Sequence, residues 1–146
     1  YIGGKSDGYI LKIDKSGSNI LASTFIGTNS YDQNYFVEID RFETIYTVGQ
    51  TRGNFPLINA NYVDSNSGTF IMSLDSNLST INYSTVFGNH DVNASFSPSA
   101  FLVDRCQNVY VSGWGGNIFS TNPAQPPHPN PTPGPASSNG RARKRF

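Results

Sequence analysis

The side chains that could do chemistry in this sequence are few, and the recurring ones are carboxylates. Asp14, Asp40, Asp75 and Asp104 each stand at the end of an apolar stretch, and each is followed by a turn sequence. Repeated carboxylates can bind Ca²⁺, but they can equally accept the backbone N–H bonds that close an Asx-turn. None of the four lies in a closely spaced run of aspartates, so the pattern favours turn formation.

The histidines and the cysteine form no complete catalytic or metal-binding set. His90 stands beside Asp91 in "GNHDVNAS", and such a pair can bind a metal or orient a base. No third ligand or nucleophile accompanies the pair, so an exposed loop is the favoured interpretation. His128 lies in a proline-rich segment, and Cys106, the single cysteine, has no His/Asn constellation around it. With no phosphate loop, zinc signature or nucleophile elbow, the sequence predicts no catalytic residue, cofactor or metal.

Trp114 is the aromatic residue with the most suggestive surroundings. It stands between Gly113 and Gly115-Gly116, and flanking glycines let a ring lie open on a surface, as sugar-binding aromatics do. A tryptophan that packs between layers of the fold explains the same pattern. Both interpretations are open at this point. Loop tyrosines that could accompany Trp114 as ligand platforms are Tyr31, Tyr35 and Tyr62.

The elements that would position these residues occur twice in the chain. The segment "DGYILKIDKSGSNILASTFIG" (7–27) is followed 61 residues later by "GTFIMSLDSNLSTINYSTVFG" (68–88). After a three-residue insertion, the correspondence resumes at an offset of 64 and continues to Phe119. Because order and spacing are both kept, chance is a poor explanation. A repeat of this length is typical of a solenoid, a propeller or an array.

Each copy of the repeat predicts four β-strands. Side chains alternate with period two along the first segment of each copy, in the sets Tyr9, Leu11, Ile13 and Phe70, Met72, Leu74. Further strands are predicted near 20–26, 36–40 and 45–49, matched by 81–87, 100–104 and 109–113. Four strands in about 60 residues describe a propeller blade. The predicted fold is therefore all-β, a partial β-propeller with two four-stranded antiparallel blades at about 1–60 and 61–119. A sandwich of two related halves and a solenoid are the alternatives.

Charge and composition exclude some partners. Charged residues make up 14% of the chain and aromatic residues 13%, which favours a β-rich protein. Residues 1–140 hold six basic and all ten acidic residues, so this body carries a net charge of about −4. An acidic body argues against nucleic acid as its partner. No apolar run approaches the ~18–20 residues of a membrane span.

Residues 1–119 resemble the SBBP-type β-propeller repeat. The shared motifs are "YIGG", "DGYILKIDKSGS", "STFIG" and "IYTVGQTRGNFP" in the first copy, and "YSTVFG" and "NVYVSG" in the second. Two positions depart from the pattern: Leu78 replaces a turn glycine, and Phe42-Glu43 replaces Gly-Asn, so that turn is expected to have another geometry. The resemblance implies a propeller within a large secreted or cell-surface protein of gliding, type IX-secreting bacteria. It supplies no common catalytic residues.

The chain begins at Tyr1 in mid-pattern, and we interpret it as a piece of a longer protein. Propellers close with about 4–8 blades, so neighbouring blades of the same longer chain are the expected partners. The outer faces of the end blades are then expected to expose core-type residues. We expect these to come from sets such as Tyr9, Leu11, Ile13 or Phe70, Met72, Leu74.

The composition changes abruptly at Ser120. Seven of the nine prolines lie between Pro123 and Pro135, and the chain ends in "RARKRF". Proline lacks a backbone donor and fixes φ, and the basic end has too little apolar surface to fold. Residues 120–146 are therefore predicted to be a disordered, proline-rich tail with a basic end. A linker, a proline-motif ligand and an anion-binding end are its possible functions.

These patterns favour a non-catalytic scaffold or adhesion segment of a secreted or cell-surface protein, with a surface glycan or protein as a possible partner. A glycan-binding propeller module with Trp114 as its platform is the first alternative. A lyase or glycosidase is the second, and it needs paired carboxylates that converge on one pocket.

Overall fold

The computed structural model describes residues 2–88 and 96–115, and in these ranges the chain is all-β without a helix. The strands are β1 (Gly8–Ile13), β2 (Ile20–Ile26), β3 (Asp32–Ile39), β4 (Ile45–Thr51), β5 (Thr69–Leu74), β6 (Ile81–Phe87), β7 (Phe96–Val103) and β8 (Val109–Gly115). The eight strands that the sequence predicts are thereby confirmed, with β3 and β7 beginning four residues earlier than expected. The predicted tail, 120–146, lies outside the described residues.

The strands form three antiparallel sheets, and none of them closes on itself. The first sheet contains β1 and β2, the central sheet has the order β3-β4-β5-β6, and the third contains β7 and β8. This order corrects the predicted grouping, which placed β1 to β4 in one four-stranded unit and β5 to β8 in another. The central sheet instead takes two strands from each copy of the repeat, and the predicted division near residue 60 falls inside it.

The boundaries of the sheets do not coincide with the boundaries of the repeat, and the connections between strands explain why. Residues 52–68 join β4 to β5, which nevertheless pair along six residues each, from Ile45–Leu74 to Gln50–Thr69. Phe55 ties this long connection to the sheet, since its ring stacks on the Phe70 ring with centroids 4.1 Å apart. The short link 27–31, by contrast, carries the chain from the first sheet to the central one. Repetition in sequence shows which strands correspond, but the connections decide which strands pair.

The first sheet packs on one face of the central sheet. Ile10 and Ile26 are buried in one apolar core with Phe70, Met72 and Leu74 of β5. Full burial of an aliphatic or aromatic side chain contributes roughly 1.5–3 kcal/mol, so this layer is a main source of stability.

The third sheet covers the opposite face of the central sheet. Tyr46 and Val48 of β4 are buried against Phe101, with Val109 and Val111 packed around them. Side chains alternate across a strand, so Tyr46 and Val48 face away from Ile45, which belongs to the core under the first sheet. The three sheets are therefore stacked, with the central one in the middle.

The end sheets expose residues of the core type, as the sequence predicts. Tyr9, Leu11 and Ile13 of β1 are all exposed. Their repeat equivalents Phe70, Met72 and Leu74 are buried under the first sheet, which contradicts the expectation for that second set. The reason is that the two strands lie in different sheets. β5 lies in the central sheet, inside the stack, whereas nothing in the described chain covers the outer face of β1.

Candidate functional site

The recurring aspartates close turns that share one geometry. The Asp14 carboxylate accepts the backbone N–H groups of Ser16 and Ser18 at 3.2 and 3.0 Å, and its carbonyl accepts the N–H of Gly17 at 3.0 Å. Asp40 and Asp104 make the equivalent bonds, and the Asp75 carboxylate accepts the N–H groups of Ser79 and Thr80 instead. In all four turns the aspartate carbonyl accepts the N–H of the residue three places on. The structure thus places all four carboxylates in turn formation.

Hydrogen bonds hold these carboxylates in the ionised form. The Asn19 side chain donates to Asp14 at 2.7 Å and lowers the pKa of that carboxyl well below its ordinary value. The backbone N–H of Thr80 is the main cause of the lowered pKa of Asp75. A carboxylate that is ionised and occupied by donors cannot serve as a general acid, because it holds no proton to give.

The third residue after each aspartate has a left-handed backbone. The φ angles are 73° at Gly17, 63° at Glu43, 59° at Leu78 and 66° at Gln107. The turn at Phe42-Glu43 therefore has the common geometry, and the expectation of a different one is wrong. Leu78 keeps a side chain at this unfavourable conformation because that side chain is buried in the core under the first sheet.

One of these turns reaches the neighbouring sheet. Nε2 of Gln107 donates to Asp40 Oδ2 at 2.6 Å and to Tyr46 Oη at 3.3 Å. Burial raises the pKa of Asp40, but the bond from Gln107 and those from two backbone N–H groups outweigh it, so the pKa lies below its ordinary value. Gln107 thus caps a Tyr46–Asp40 pair, whose own Oη–Oδ2 distance is 3.3 Å.

The same tyrosine–aspartate pair occurs on the third sheet, where Asn108 Nδ2 donates to Asp104 Oδ2 at 2.9 Å and no described residue of another sheet caps the pair. Tyr110 Oη donates to Asp104 Oδ2 at 3.1 Å, which helps to raise the pKa of Tyr110. Tyr46 is 3% exposed, whereas its repeat equivalent Tyr110 is 53% exposed. The difference arises because the third sheet covers the central one, while the outer face of the third sheet is open in the part of the chain that the structure describes.

Trp114 lies on this open face. It is 54% exposed, and it pairs with Ser97 across the third sheet. Trp114 and Tyr110 are four residues apart on β8, so their side chains lie on the same face of the strand. Both therefore point away from the central sheet. Its repeat equivalent, Gln50, donates to the carbonyl of Phe96 on the next sheet at 2.9 Å. At the equivalent position, then, the side chain contacts the neighbouring sheet.

A groove marks the other open end of the stack. It has a volume of about 460 Å³ and lies between β1 and the β3–β4 hairpin of the central sheet. Its lining includes Leu11, Ile13, Val37 and Ile39, all exposed, with Glu43 at its edge. An apolar groove between two strand edges can accept a further strand or hairpin.

A buried polar cluster between the first two sheets was not singled out as a site from the sequence. Asp32 accepts the N–H and Oγ1 hydrogen bonds of Thr28 at 2.7 and 2.8 Å, and Asp7 accepts the N–H of Ile2 at 2.6 Å. Gly27 makes room for both carboxylates, since a Cβ there would lie 2.4 Å from Asp7 Oδ1 and 3.1 Å from Asp32 Oδ2. The cluster fixes the link into the central sheet. The only sequence signal for this cluster was that Asp7 and Asp32 both stand at positions that match the SBBP-type repeat.

The remaining predicted candidates are not brought together with Trp114. Tyr31 and Tyr35 belong to β3 or its preceding link, and Tyr62 belongs to the β4–β5 connection. Cys106 is exposed in the Asp104 turn. His90 with Asp91, and His128, lie outside the described residues. In the described ranges 2–88 and 96–115, no three His, Cys, Asp or Glu side chains are grouped as metal ligands.

Among the described residues there is no helix of the length and hydropathy that crossing a membrane requires. A scan against protein-family models and searches of curated proteins and of solved structures found no match to the chain.

Proposed function

We propose that this chain is a segment of a β-propeller, and that it serves as a non-catalytic scaffold or adhesion module of a larger secreted or cell-surface protein. The observation that carries the proposal is the stack of three sheets. The corresponding hairpins β1–β2 and β5–β6 lie in successive sheets, and so do β3–β4 and β7–β8, which is the arrangement expected of successive blades of a propeller.

The scaffold role is supported by how the carboxylates are used. The four that recur are committed to turns, and Asp40 is also bonded by a residue of the next sheet. These groups hold the sheets together instead of converging on a pocket, so they do not supply the acid pair that a glycosidase needs. The secreted or surface location is supported by the resemblance of residues 1–119 to the SBBP-type repeat.

Electron microscopy of the proposed larger protein tests the architecture. We expect class averages of a ring with four to eight blades, a number set by how propellers close. A compact two-layer particle without a central channel would contradict the propeller.

A turnover assay tests the non-catalytic role. The purified larger protein is incubated with a panel of acidic and neutral polysaccharides, and reducing ends and unsaturated products are measured. We expect no turnover above that of the heat-denatured sample, and reproducible release of either product would refute the scaffold role.

A glycan-binding module is the second candidate, and it is favoured by the exposed aromatic pair Trp114 and Tyr110 on one open face. Stacking of a sugar on Trp114 would make binding depend on that ring. On a glycan array, Trp114→Ala should lose binding, whereas Phe42→Ala, at another exposed aromatic, should keep it. Equal signals from both variants and the parent chain would exclude Trp114 as the platform.

A further inference from the structure

Two strand edges without a partner among residues 2–88 and 96–115 correspond to a closed pair elsewhere in the same molecule. In the described residues, β1 pairs only with β2, and β8 pairs only with β7. By the repeat, β1 is the equivalent of β5 and β8 is the equivalent of β4. Those two strands, β4 and β5, pair with each other in the central sheet.

We propose that β8 of one copy of this chain pairs with β1 of a second copy. The third sheet of the first copy and the first sheet of the second then form one four-stranded antiparallel sheet with the order of the central sheet. For the 146-residue chain by itself, the partner is therefore a second copy bound head to tail, in the place that a neighbouring blade would hold in the proposed larger protein.

The central sheet gives the register of the new pair. Thr47 pairs with Met72 in the central sheet. By the repeat, Thr47 corresponds to Val111 at the offset of 64, and Met72 corresponds to Leu11 at the offset of 61, so Val111 is predicted to pair with Leu11. The full set of pairs predicted in this way is Val109–Ile13, Tyr110–Lys12, Val111–Leu11, Ser112–Ile10, Gly113–Tyr9 and Trp114–Gly8.

The backbone groups at these edges point in the required directions. The N–H of Asp14 bonds to Asn19 on the β2 side, so by alternation the N–H and C=O of Leu11 point to the open edge. The N–H of Asp104 bonds to the C=O of Asn108, so the groups of Val111 point away from β7. Leu11 and Val111 would form a hydrogen-bonded pair, as Met72 and Thr47 do.

The same docking covers apolar residues that are exposed at the two ends of the stack. Tyr46 and Val48 pack against the third sheet, where Val103 is the equivalent of Ile39. In the assembly, Tyr110 of one copy would accordingly contact Ile39 of the other, which is 60% exposed in the single chain. This contact fills the groove beside β1, which is continuous with the existing interface between the first and central sheets.

The pairing must occur between chains. The first and third sheets lie on opposite faces of the central sheet, so the two open edges of one chain cannot meet. A head-to-tail interface leaves one open edge at each end, and it therefore builds a closed ring or an open filament. Each copy adds two complete sheets, so a ring of about 4–8 sheets would hold two to four copies.

One contact in this interface is mismatched. Gln107 caps the Tyr46–Asp40 pair, and its repeat equivalent is Glu43. In the assembly, Glu43 of one copy would lie beside Asp104 of the other, as Gln107 lies beside Asp40. Two negative charges that face each other oppose association. Glu43→Gln restores the amide that Gln107 supplies, so this variant should associate more tightly.

Sedimentation velocity of the full 146-residue chain over a concentration series is the first experiment. We expect reversible association to species of two or more copies, and about a tenfold tighter association for Glu43→Gln. Leu11→Pro removes the backbone N–H that points to the open edge of β1, but it removes no hydrogen bond between β1 and β2. We therefore expect it to abolish association. Leu11→Thr keeps the N–H and should associate measurably. A parent chain that stays monomeric at high concentration, or equal behaviour of the Pro and Thr variants, would overturn the proposal.

Disulfide trapping tests the register independently of affinity. In a Cys106→Ser background, Lys12→Cys on one copy and Tyr110→Cys on another should form an intermolecular disulfide, because the pair is of the closely spaced, non-hydrogen-bonded type. The control pairs Lys12→Cys with Leu102→Cys, one strand further away at roughly twice the ~4.8 Å strand spacing. Equal trapping of both pairs, or trapping of the control alone, would refute the register and with it the proposal.

Discussion

The residue three places after each turn aspartate decides how much strain its turn carries. All four occupy the left-handed region, but only the first turn has glycine there, at Gly17. A residue with a Cβ costs roughly 1–2 kcal/mol in that conformation, whereas glycine adopts it freely. Glu43 and Leu78 show the two outcomes, since the first is exposed and the second is buried.

Glycine at these two positions should have opposite effects on stability. Glu43→Gly relieves backbone strain and loses no buried contact, so we expect the free energy of unfolding to rise by up to ~1 kcal/mol. Leu78→Gly also relieves strain but empties a core position, and we expect a net loss of about 2–4 kcal/mol. Urea unfolding measures both. A stabilised Leu78→Gly variant would show that strain outweighs the core contact.

The turn carboxylates should make stability fall in acid. Their pKa values are lowered in the folded state, so folding favours the deprotonated form. The resulting stabilisation is fully present above the ordinary value of 3.8 and is lost as the pH falls through the lower folded-state values. Urea midpoints should therefore decrease below about pH 4. Asp75→Asn, which cannot ionise, should decrease less steeply, and parallel curves for the two proteins would contradict this explanation.

The role of the aspartates was predictable from the sequence because turn closure is local. Asp14 and the donors that bond to its carboxylate lie within five residues, so spacing alone carries the information. The capping of Asp40 by Gln107 was not predictable, since it joins residues 67 positions apart and depends on how sheets stack. Trp114 was ambiguous for the same reason, because burial of its face depends on what lies beyond the third sheet.

At the scale of strands, two glycines show how closely the sheets pack. A Cβ on Gly49 would lie 2.2 Å from the carbonyl of Gln33 and 2.5 Å from the Phe70 ring. A Cβ on its repeat equivalent, Gly113, would lie similarly close to the carbonyl of Ser97 and to the Phe96 ring. The aromatic ring beneath each glycine therefore fixes that position along β4 and β8.

We expect Gly49→Ala to destabilise the protein by about 1–3 kcal/mol, because the new methyl group must displace a buried ring or the neighbouring strand. Gly17→Ala is the control: no atom lies within 4 Å of its Cβ, so only the left-handed conformation is penalised. Thermal unfolding followed by circular dichroism compares the two. A smaller loss at Gly49 than at Gly17 would mean that the Phe70 ring moves aside at little cost.

The positions of the strands could be read from the sequence, whereas their grouping could not. Period-two alternation located β1 and β5, and the copies confirmed each other. The sheet boundary was missed because the 52–68 connection is long enough to suggest a break between units. Phe55, stacked on Phe70, is the residue that keeps this connection against its own sheet.

At the scale of the whole molecule, the body of three sheets should not depend on the proline-rich end. Residues 120–146 contain most of the prolines and have few apolar residues, so their removal deletes no predicted strand. A chain ending at residue 119 should unfold at the same temperature as the full chain, within about 2 °C. A clearly lower unfolding temperature would show that the tail packs on the body.

The phase difference between repeat and sheet has a consequence for how such a chain can grow by gene duplication. Each copy of the repeat contributes half of two different sheets, so inserting or deleting one copy never creates a sheet with the wrong number of strands. Any array made of whole copies in this phase has a β1–β2-type hairpin at one end and a β3–β4-type hairpin at the other, whatever its length. Unequal recombination between copies is therefore structurally tolerated, and selection can adjust the number of repeats without redesigning either end.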